Sequence, residues 1–173
     1  MVYALGVTAM LGVSATYHSG RLRASTIRWM KRIDHSAILL AIAGSYTAIA
    51  VLALPAAPAA DLLTFTWIAA AVGVAVRMIW LRAPYPVVAA VYVLVGWGAL
   101  LQWTALTRGL TTTQMALLLG GGLVYTAGAV VYAVHRPNPW PATFGYHEVF
   151  HALVAVGVTA HYLVVLDLLL QAR

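Results

Sequence analysis

Residue types that bind metal ions or move protons recur at helical spacing in this sequence. His147 and His151 are four residues apart, so on an α-helix both imidazoles lie on one face. Ser14 and His18 have the same spacing, and Asp34 follows them. Two such histidines can clamp one divalent ion, and three neutral imidazoles with a water form the usual open catalytic zinc site. A carboxylate beside it could orient or deprotonate that water, so these residues suggest metal-dependent hydrolysis.

Each of these signals also has an ordinary structural explanation. The HxxxH pair fits two histidines at a membrane boundary, and Ser14 with His18 fits a helix-packing serine beside a boundary histidine. Asp34 is suited to cap the start of a helix, because its carboxylate accepts hydrogen bonds from free backbone N–H groups and favours the positive end of the helix dipole. The case for a site therefore depends on whether the three segments meet.

The composition identifies the solvent in which the chain folds. Of the 173 residues, 63% are hydrophobic and 8% are charged, with a net charge of +6. A soluble domain is about a quarter charged, so a water-soluble globule and a disordered chain are both excluded and a membrane protein remains. No basic face of the kind that binds nucleic acid is visible. Because the sequence has no cysteine, any metal must be held by histidines and carboxylates.

Six runs of residues are long and apolar enough to cross a membrane, which takes about 17–25 residues. Prolines, glycines or charges separate them, and no internal repeat is present. The sequence therefore predicts an all-α, polytopic transmembrane helix bundle that forms a single integral membrane domain over residues 1–173. The predicted spans are residues 2–18, 34–54, 62–80, 86–106, 114–134 and 147–170.

Basic residues orient the predicted spans, because cytoplasmic loops are rich in lysine and arginine. Half of the ten lie between the first two spans: Arg21, Arg23, Arg28, Lys31 and Arg32. With that segment in the cytoplasm, Arg82 and Arg136 are also inside, Arg108 and Arg173 are outside, and Arg77 is expected to extend to the inner boundary. The candidate polar residues of three spans then share the cytoplasmic side; His35, next to Asp34, is expected to be interfacial.

Four segments, in this order, resemble the hemolysin III branch of the progestin and adiponectin receptor (PAQR) superfamily. They are SATYH at 14–18, RIDHS at 32–36, IAGSYT at 42–47 and FGYHEVFH at 144–151. The resemblance extends from near Met1 to the last span. It implies a seven-helix fold with a cytoplasmic N-terminus, in which the six spans here match helices two to seven. Two interpretations of the apolar start stay open: an upstream helix absent from this sequence, or a chain that begins outside.

The resemblance also implies a site. A zinc ion near the cytoplasmic face would be held by His18, His147 and His151, with Asp34 holding the zinc-bound water and Ser14 beside it. The wider superfamily includes alkaline ceramidases, and bacterial members are linked to membrane-lipid homeostasis. The expectation is therefore a zinc-dependent hydrolase of ceramide-like lipid amides in the bacterial inner membrane, with a membrane lipid as substrate or ligand.

Two other functions stay open. One is a pore-forming hemolysin or channel, although polar residues clustered at one end argue weakly against a pore, which needs a polar stripe across the membrane. The other is a non-catalytic sensor of lipid state with a structural zinc. The spacing of residues identifies neither the substrate nor the oligomeric state.

Overall fold

A computed structural model describes residues 1–18 and 23–172, and helices dominate both ranges. This confirms the all-α, polytopic bundle. In chain order the elements are α1 (Val2–His18), α2 (Ala24–Ala53), α3 (Ala56–Ile79), α4 (Tyr85–Gly96), a 3₁₀ segment (Gly98–Gln102), α5 (Trp103–Gly109), α6 (Thr112–Val134) and α7 (Tyr146–Gln171).

Each predicted span falls on helical residues, although the boundaries differ at some ends. Within the described ranges, five stretches are long and apolar enough to cross a membrane: α2, α3, α4 continued by α5, α6 and α7. Helix α1 has 17 residues and extends about 26 Å, slightly less than the ~30 Å hydrocarbon core of a bilayer. Large apolar side chains cover the exterior, among them Val51, Leu94 and Leu123. Such a surface suits lipid and not water.

Helix α2 begins at Ala24, ten residues before the predicted span, so Asp34 lies in the helix interior. The capping explanation of Asp34 is therefore wrong. Residues 24–33 contain no proline or glycine and several good helix formers, so the helix continues past the apolar segment. Arg28 and Arg32 consequently lie on a helix and not in a loop, while Arg21 and Arg173 fall outside the described residues.

Two prolines expected to separate spans instead lie in the first turns of helices. Helix α3 starts at Ala56 and includes Pro58, and α4 starts at Tyr85 and includes Pro86. A proline in a first turn lacks an N–H that would have no partner in the helix anyway, and its fixed φ suits the helix. Helix α3 therefore begins six residues before the predicted span at 62–80.

The fourth predicted span, residues 86–106, is not one continuous helix. Helix α4 ends at Gly96, and the chain passes through the 3₁₀ segment into α5. The Tyr46 hydroxyl from α2 contacts the carbonyl oxygen of Gly96 and accepts a hydrogen bond from the Ala99 N–H at 2.9 Å. A Cβ on Gly98 would overlap the Phe65 ring. Tyr46 thus satisfies backbone groups that the break exposes, a contact between distant segments that apolar periodicity does not show.

Helix α2 is central and contacts α1, α3, α4 and α7, and α6 packs along α7. At one end of the α6–α7 pair, the buried Gln114 donates from Nε2 to the Asp167 carboxylate at 2.7 Å, and Gln114 also forms a capping box with Thr111. The opposite end of this pair carries the start of α7 and its two histidines. The helical bundle therefore brings the candidate site residues to one end.

Candidate metal centre

Three histidines from the first and last helices meet at this end. The Nε2 atom of His147 lies 3.2 Å from Nε2 of His18 and 3.1 Å from Nε2 of His151. One ligand nitrogen from each residue lies within 4.8 Å of the other two. His18 is exposed, whereas His147 and His151 are half-buried, so the cluster opens to solvent on one side. These three residues could hold a metal ion together.

The nitrogen separations match a tetrahedral metal site. Two nitrogens at 2.0–2.1 Å from one zinc ion, with tetrahedral angles, are about 3.3–3.4 Å apart. The Nε2–Nε2 separations of 3.1 Å (His147 to His151) and 3.2 Å (His147 to His18) are close to that distance. Neutral imidazole suits zinc and also copper, nickel and iron, so these donors could hold any of several transition-metal ions.

The start of α7 is held so that its histidines face α1. The Glu148 carboxylate accepts a hydrogen bond from the Gly145 N–H at 2.8 Å, and Asn138 Oδ1 accepts one from the Tyr146 N–H at 3.0 Å. Both acceptors satisfy N–H groups that have no partner within the helix. Glu148 therefore fixes the first turn of α7, next to His147.

Asp34 and Ser14 lie beside the cluster. Asp34 is buried in α2, and its carboxylate lies near the Ser14 side chain of α1 and near His18. Asp34, Ser14, His147 and His151 line one cavity. The structure thus brings together all five residues that the sequence singles out for a site.

This cavity is about 190 Å³ and extends from the histidines into the bundle. Its lining is mainly apolar and aromatic, with Met10, Ile38, Leu118 and Val154 among the residues that border it. His161 also borders it and contacts the Leu118 carbonyl through Nε2 at 3.1 Å, the arrangement of a satisfied polar group between helices. An apolar cavity that ends at a polar, solvent-accessible cluster suits a molecule with an apolar tail and a polar group.

Aromatic rings surround the histidines on the α6 side. The Tyr132 ring lies 6.1 Å from the His147 ring and 5.1 Å from the Phe150 ring, centroid to centroid. Tyr85 contacts Tyr132 and, at 4.9 Å, His135 at the end of α6. This aromatic wall covers one side of the cluster with rigid groups, which restricts the positions open to the imidazoles.

Two other polar residues, His35 and Arg77, face each other near the site. Both are buried, at 8% and 4% exposure, and the guanidinium Nη2 lies 2.6 Å from His35 Nδ1. The helices therefore enclose both side chains, and the sequence did not predict that they pair. The sequence singles out Arg77 in one way only, because it is the sole charged residue within residues 62–80. Its partner on another helix could not be read from the sequence.

An all-helical membrane protein with a histidine cluster at one end of an internal cavity is the class that this fold and site define. Residues 1–162 match the family model described as "Haemolysin-III related". The chain belongs to this family, so the resemblance seen in the sequence is confirmed. It is an integral membrane protein of hemolysin III/PAQR type.

Individual relatives agree with this family assignment. The chain is 30% identical over 125 residues to "Hemolysin-3" of Bacillus cereus, covering 72% of this chain and 54% of that protein. It is 28% identical over 134 residues to "Hemolysin-3 homolog" of Bacillus subtilis (strain 168), covering 78% and 60%. Over 64 residues it is 41% identical to "Heptahelical transmembrane protein ADIPOR2" of rice, covering 34% and 28%. The chain thus spans somewhat more than half of the Bacillus proteins; no solved structure matches it.

Proposed function

We propose that this protein is a zinc-dependent hydrolase of ceramide-like lipid amides that acts in membrane-lipid homeostasis, with residues 1–173 as a single integral membrane domain. The observation that carries the proposal is the convergence of three imidazole ligands, within 4.8 Å of one another, on the mouth of an apolar cavity. A buried carboxylate and a serine border the same cavity. Metal ligands, a proton acceptor and space for an acyl chain are the parts that such hydrolysis requires.

Zinc is the proposed metal because the donor set is three imidazoles at separations close to a tetrahedral edge. When bound, it would supply a Lewis acid that polarises a carbonyl group and would lower the pKa of water toward neutrality. His18, His147 and His151 are the proposed ligands.

Asp34 is the proposed acid–base residue. Its carboxylate is buried beside the cluster, where it could orient the attacking water, accept its proton and later give a proton to the leaving amine. Ser14 lies near Asp34 and would fix its orientation by a hydrogen bond. The apolar cavity lining would bind the acyl chain of the lipid and exclude bulk water from the reacting carbonyl.

We place the site near the cytoplasmic face of a bacterial inner membrane. Basic residues support this orientation, because Arg28, Lys31 and Arg32 lie in the first part of α2, just before Asp34. Lys31 Nζ lies 5.8 Å from the centroid of the Tyr85 ring, within the aromatic wall. The positive charge is therefore next to the site, at the same end of the bundle.

The test is release of fatty acid from ceramide by the purified full chain in detergent micelles. We expect turnover with the loaded protein, loss of turnover after treatment with a chelator, and recovery when zinc is returned. Full zinc occupancy without turnover on any lipid amide or ester would contradict the hydrolase and support a lipid-state sensor. Leakage of liposomes that persists in a variant lacking all three histidines would support a pore.

A further inference from the structure

Arg77 is a buried charge at the end of a membrane-spanning helix. It is 4% exposed, and no carboxylate lies within ion-pair distance of it in the ranges that the structure describes. Nη1 donates to the Trp80 carbonyl at 3.2 Å, and Nε has no hydrogen-bond partner among the described residues. An ionisable residue in a membrane segment is costly and is a candidate for function. Its closest contact is His35.

The contact with Arg77 fixes the tautomer of His35. A guanidinium has donors and no acceptor, and it stays charged in proteins. At 2.6 Å, Arg77 Nη2 therefore donates to His35 Nδ1, which must be unprotonated. A neutral imidazole carries its proton on the other nitrogen, so His35 has an N–H at Nε2. The Tyr92 hydroxyl donates to the His35 backbone carbonyl at 3.0 Å and holds the backbone in place.

His35 contacts Arg77 and also borders the cavity that reaches the histidine cluster. His35 borders the cavity next to Asp34, and its ring is within electrostatic range of His147 and His18. Nε2 is on the ring edge opposite Nδ1, hence away from Arg77. Among the described residues, the hydrogen bonds of His35 involve Nδ1 and the backbone carbonyl and not Nε2, and the residue lines a mainly apolar cavity. A fixed Nε2–H donor at the cavity lining suits a molecule that enters the cavity with an oxygen able to accept a hydrogen bond.

We propose that His35 donates a hydrogen bond from Nε2 to the carbonyl oxygen of the lipid that enters the cavity, and that Arg77 is the positioning residue that fixes this tautomer. The inference rests on the proposed function and deepens it, because it defines how the reacting carbonyl is held. A carbonyl oxygen gains negative charge during attack by water, so a preorganised donor stabilises the transition state as well as the bound lipid. The positive guanidinium behind the ring strengthens that donor.

The tautomer is testable without any substrate. Protein labelled with ¹⁵N-histidine gives distinct nitrogen shifts for protonated and unprotonated imidazole nitrogens, and the His35→Gln variant assigns the His35 signals by their loss. We expect the proton of wild-type His35 on Nε2. Arg77→Met, which removes the donor, should give a mixture of tautomers, and Arg77→Lys should restore the wild-type pattern. A wild-type His35 protonated at Nδ1 would overturn the inference, and that measurement needs no variant.

The lipid contact is tested by affinity for ceramide in micelles, with zinc content matched between samples. His35→Leu should weaken binding by about 2- to 12-fold, the value of one neutral hydrogen bond. His35→Gln, whose amide N–H can replace the Nε2 donor, should bind within about twofold of wild type. Equal affinity of wild type and His35→Leu would overturn this inference alone. A wild type that neither binds nor cleaves ceramide would contradict the proposed function as well.

Discussion

His147 and His151 lie one turn apart on α7, with their Nε2 atoms 3.1 Å from each other. Two neutral imidazole nitrogens gain little by such an approach unless a proton or a metal ion lies between them. The same separation, repeated toward His18 at 3.2 Å, joins two helices that are far apart in the sequence.

Replacing both His147 and His151 by alanine should abolish zinc binding, because one imidazole cannot hold the ion. Mass spectrometry of the purified variant should show zinc at background, against about one ion per wild-type chain. The control is His135→Asn: His135 contacts the aromatic wall but not the cluster, and Asn tolerates its left-handed backbone, with φ of 58°. Unchanged zinc in the double variant contradicts the ligand assignment.

Asp34→Asn should retain zinc and lose turnover on ceramide, since the amide keeps the shape of the side chain but cannot accept the proton. We expect kcat to fall by about 10²- to 10⁴-fold, the usual contribution of a positioned acid–base group. Asp167→Asn makes the same change at the far end of α7, next to Gln114, and should leave kcat unchanged. Comparable losses in the two variants would count against a chemical role for Asp34.

Tyr46→Phe should destabilise the protein, because the lost hydroxyl leaves the Ala99 N–H and the Gly96 carbonyl without their partner at the helix break. A buried backbone group left unsatisfied costs about 1–3 kcal/mol. For a chain of this size, each kcal/mol of lost stability lowers Tm by about 2–4 °C. Thermal unfolding in detergent measures the change. Tyr162→Phe, at an exposed position, is the control, and equal Tm values for the two variants would refute this account.

Gly121→Ala should destabilise the protein and Gly120→Ala should stabilise it, although the two residues are adjacent. A Cβ on Gly121 would lie 2.6 Å from Cδ2 of the His161 ring, whereas one on Gly120 meets nothing within 4 Å. The first change should separate α6 from α7 and cost about 1–3 kcal/mol. The second should stabilise α6 by about 0.5–1 kcal/mol, because alanine is the better helix former. Thermal unfolding of both variants measures the two changes in Tm. Equal changes would contradict the close packing of α6 on α7 at Gly121.

Helical geometry explains which parts of the site were predictable. The separation of four residues fixes the faces of His147 and His151, and the family motifs identify Ser14, His18 and Asp34. The apolar runs likewise locate the five stretches that are long enough to span a membrane, and the first helix, to within a few residues at most ends. These features depend on residues close in sequence or on motifs that occur as units.

The parts that were missed depend on contacts between helices. Whether Asp34 caps a helix depends on residues 24–33, where Arg28, Lys31 and Arg32 interrupt the apolar run. The break after Gly96 is stabilised by the Tyr46 hydroxyl, about fifty residues away in sequence. His35 and Arg77 are 42 residues apart and acquire their roles only by facing each other. Periodicity within one helix carries no information about such partners.

The boundary between α1 and α7 is joined at two places. His18 meets His147 at one end, and the Tyr3 hydroxyl donates to the Val158 carbonyl at 3.3 Å further along, with a crevice bordered by Val7 and Thr159 beside them. A metal ion held by His18, His147 and His151 would therefore be a cross-link that closes a loop of 129 residues. Separation of α1 from α7 would strain that cross-link, so the proposed ion would also resist opening of the bundle toward the bilayer at this boundary.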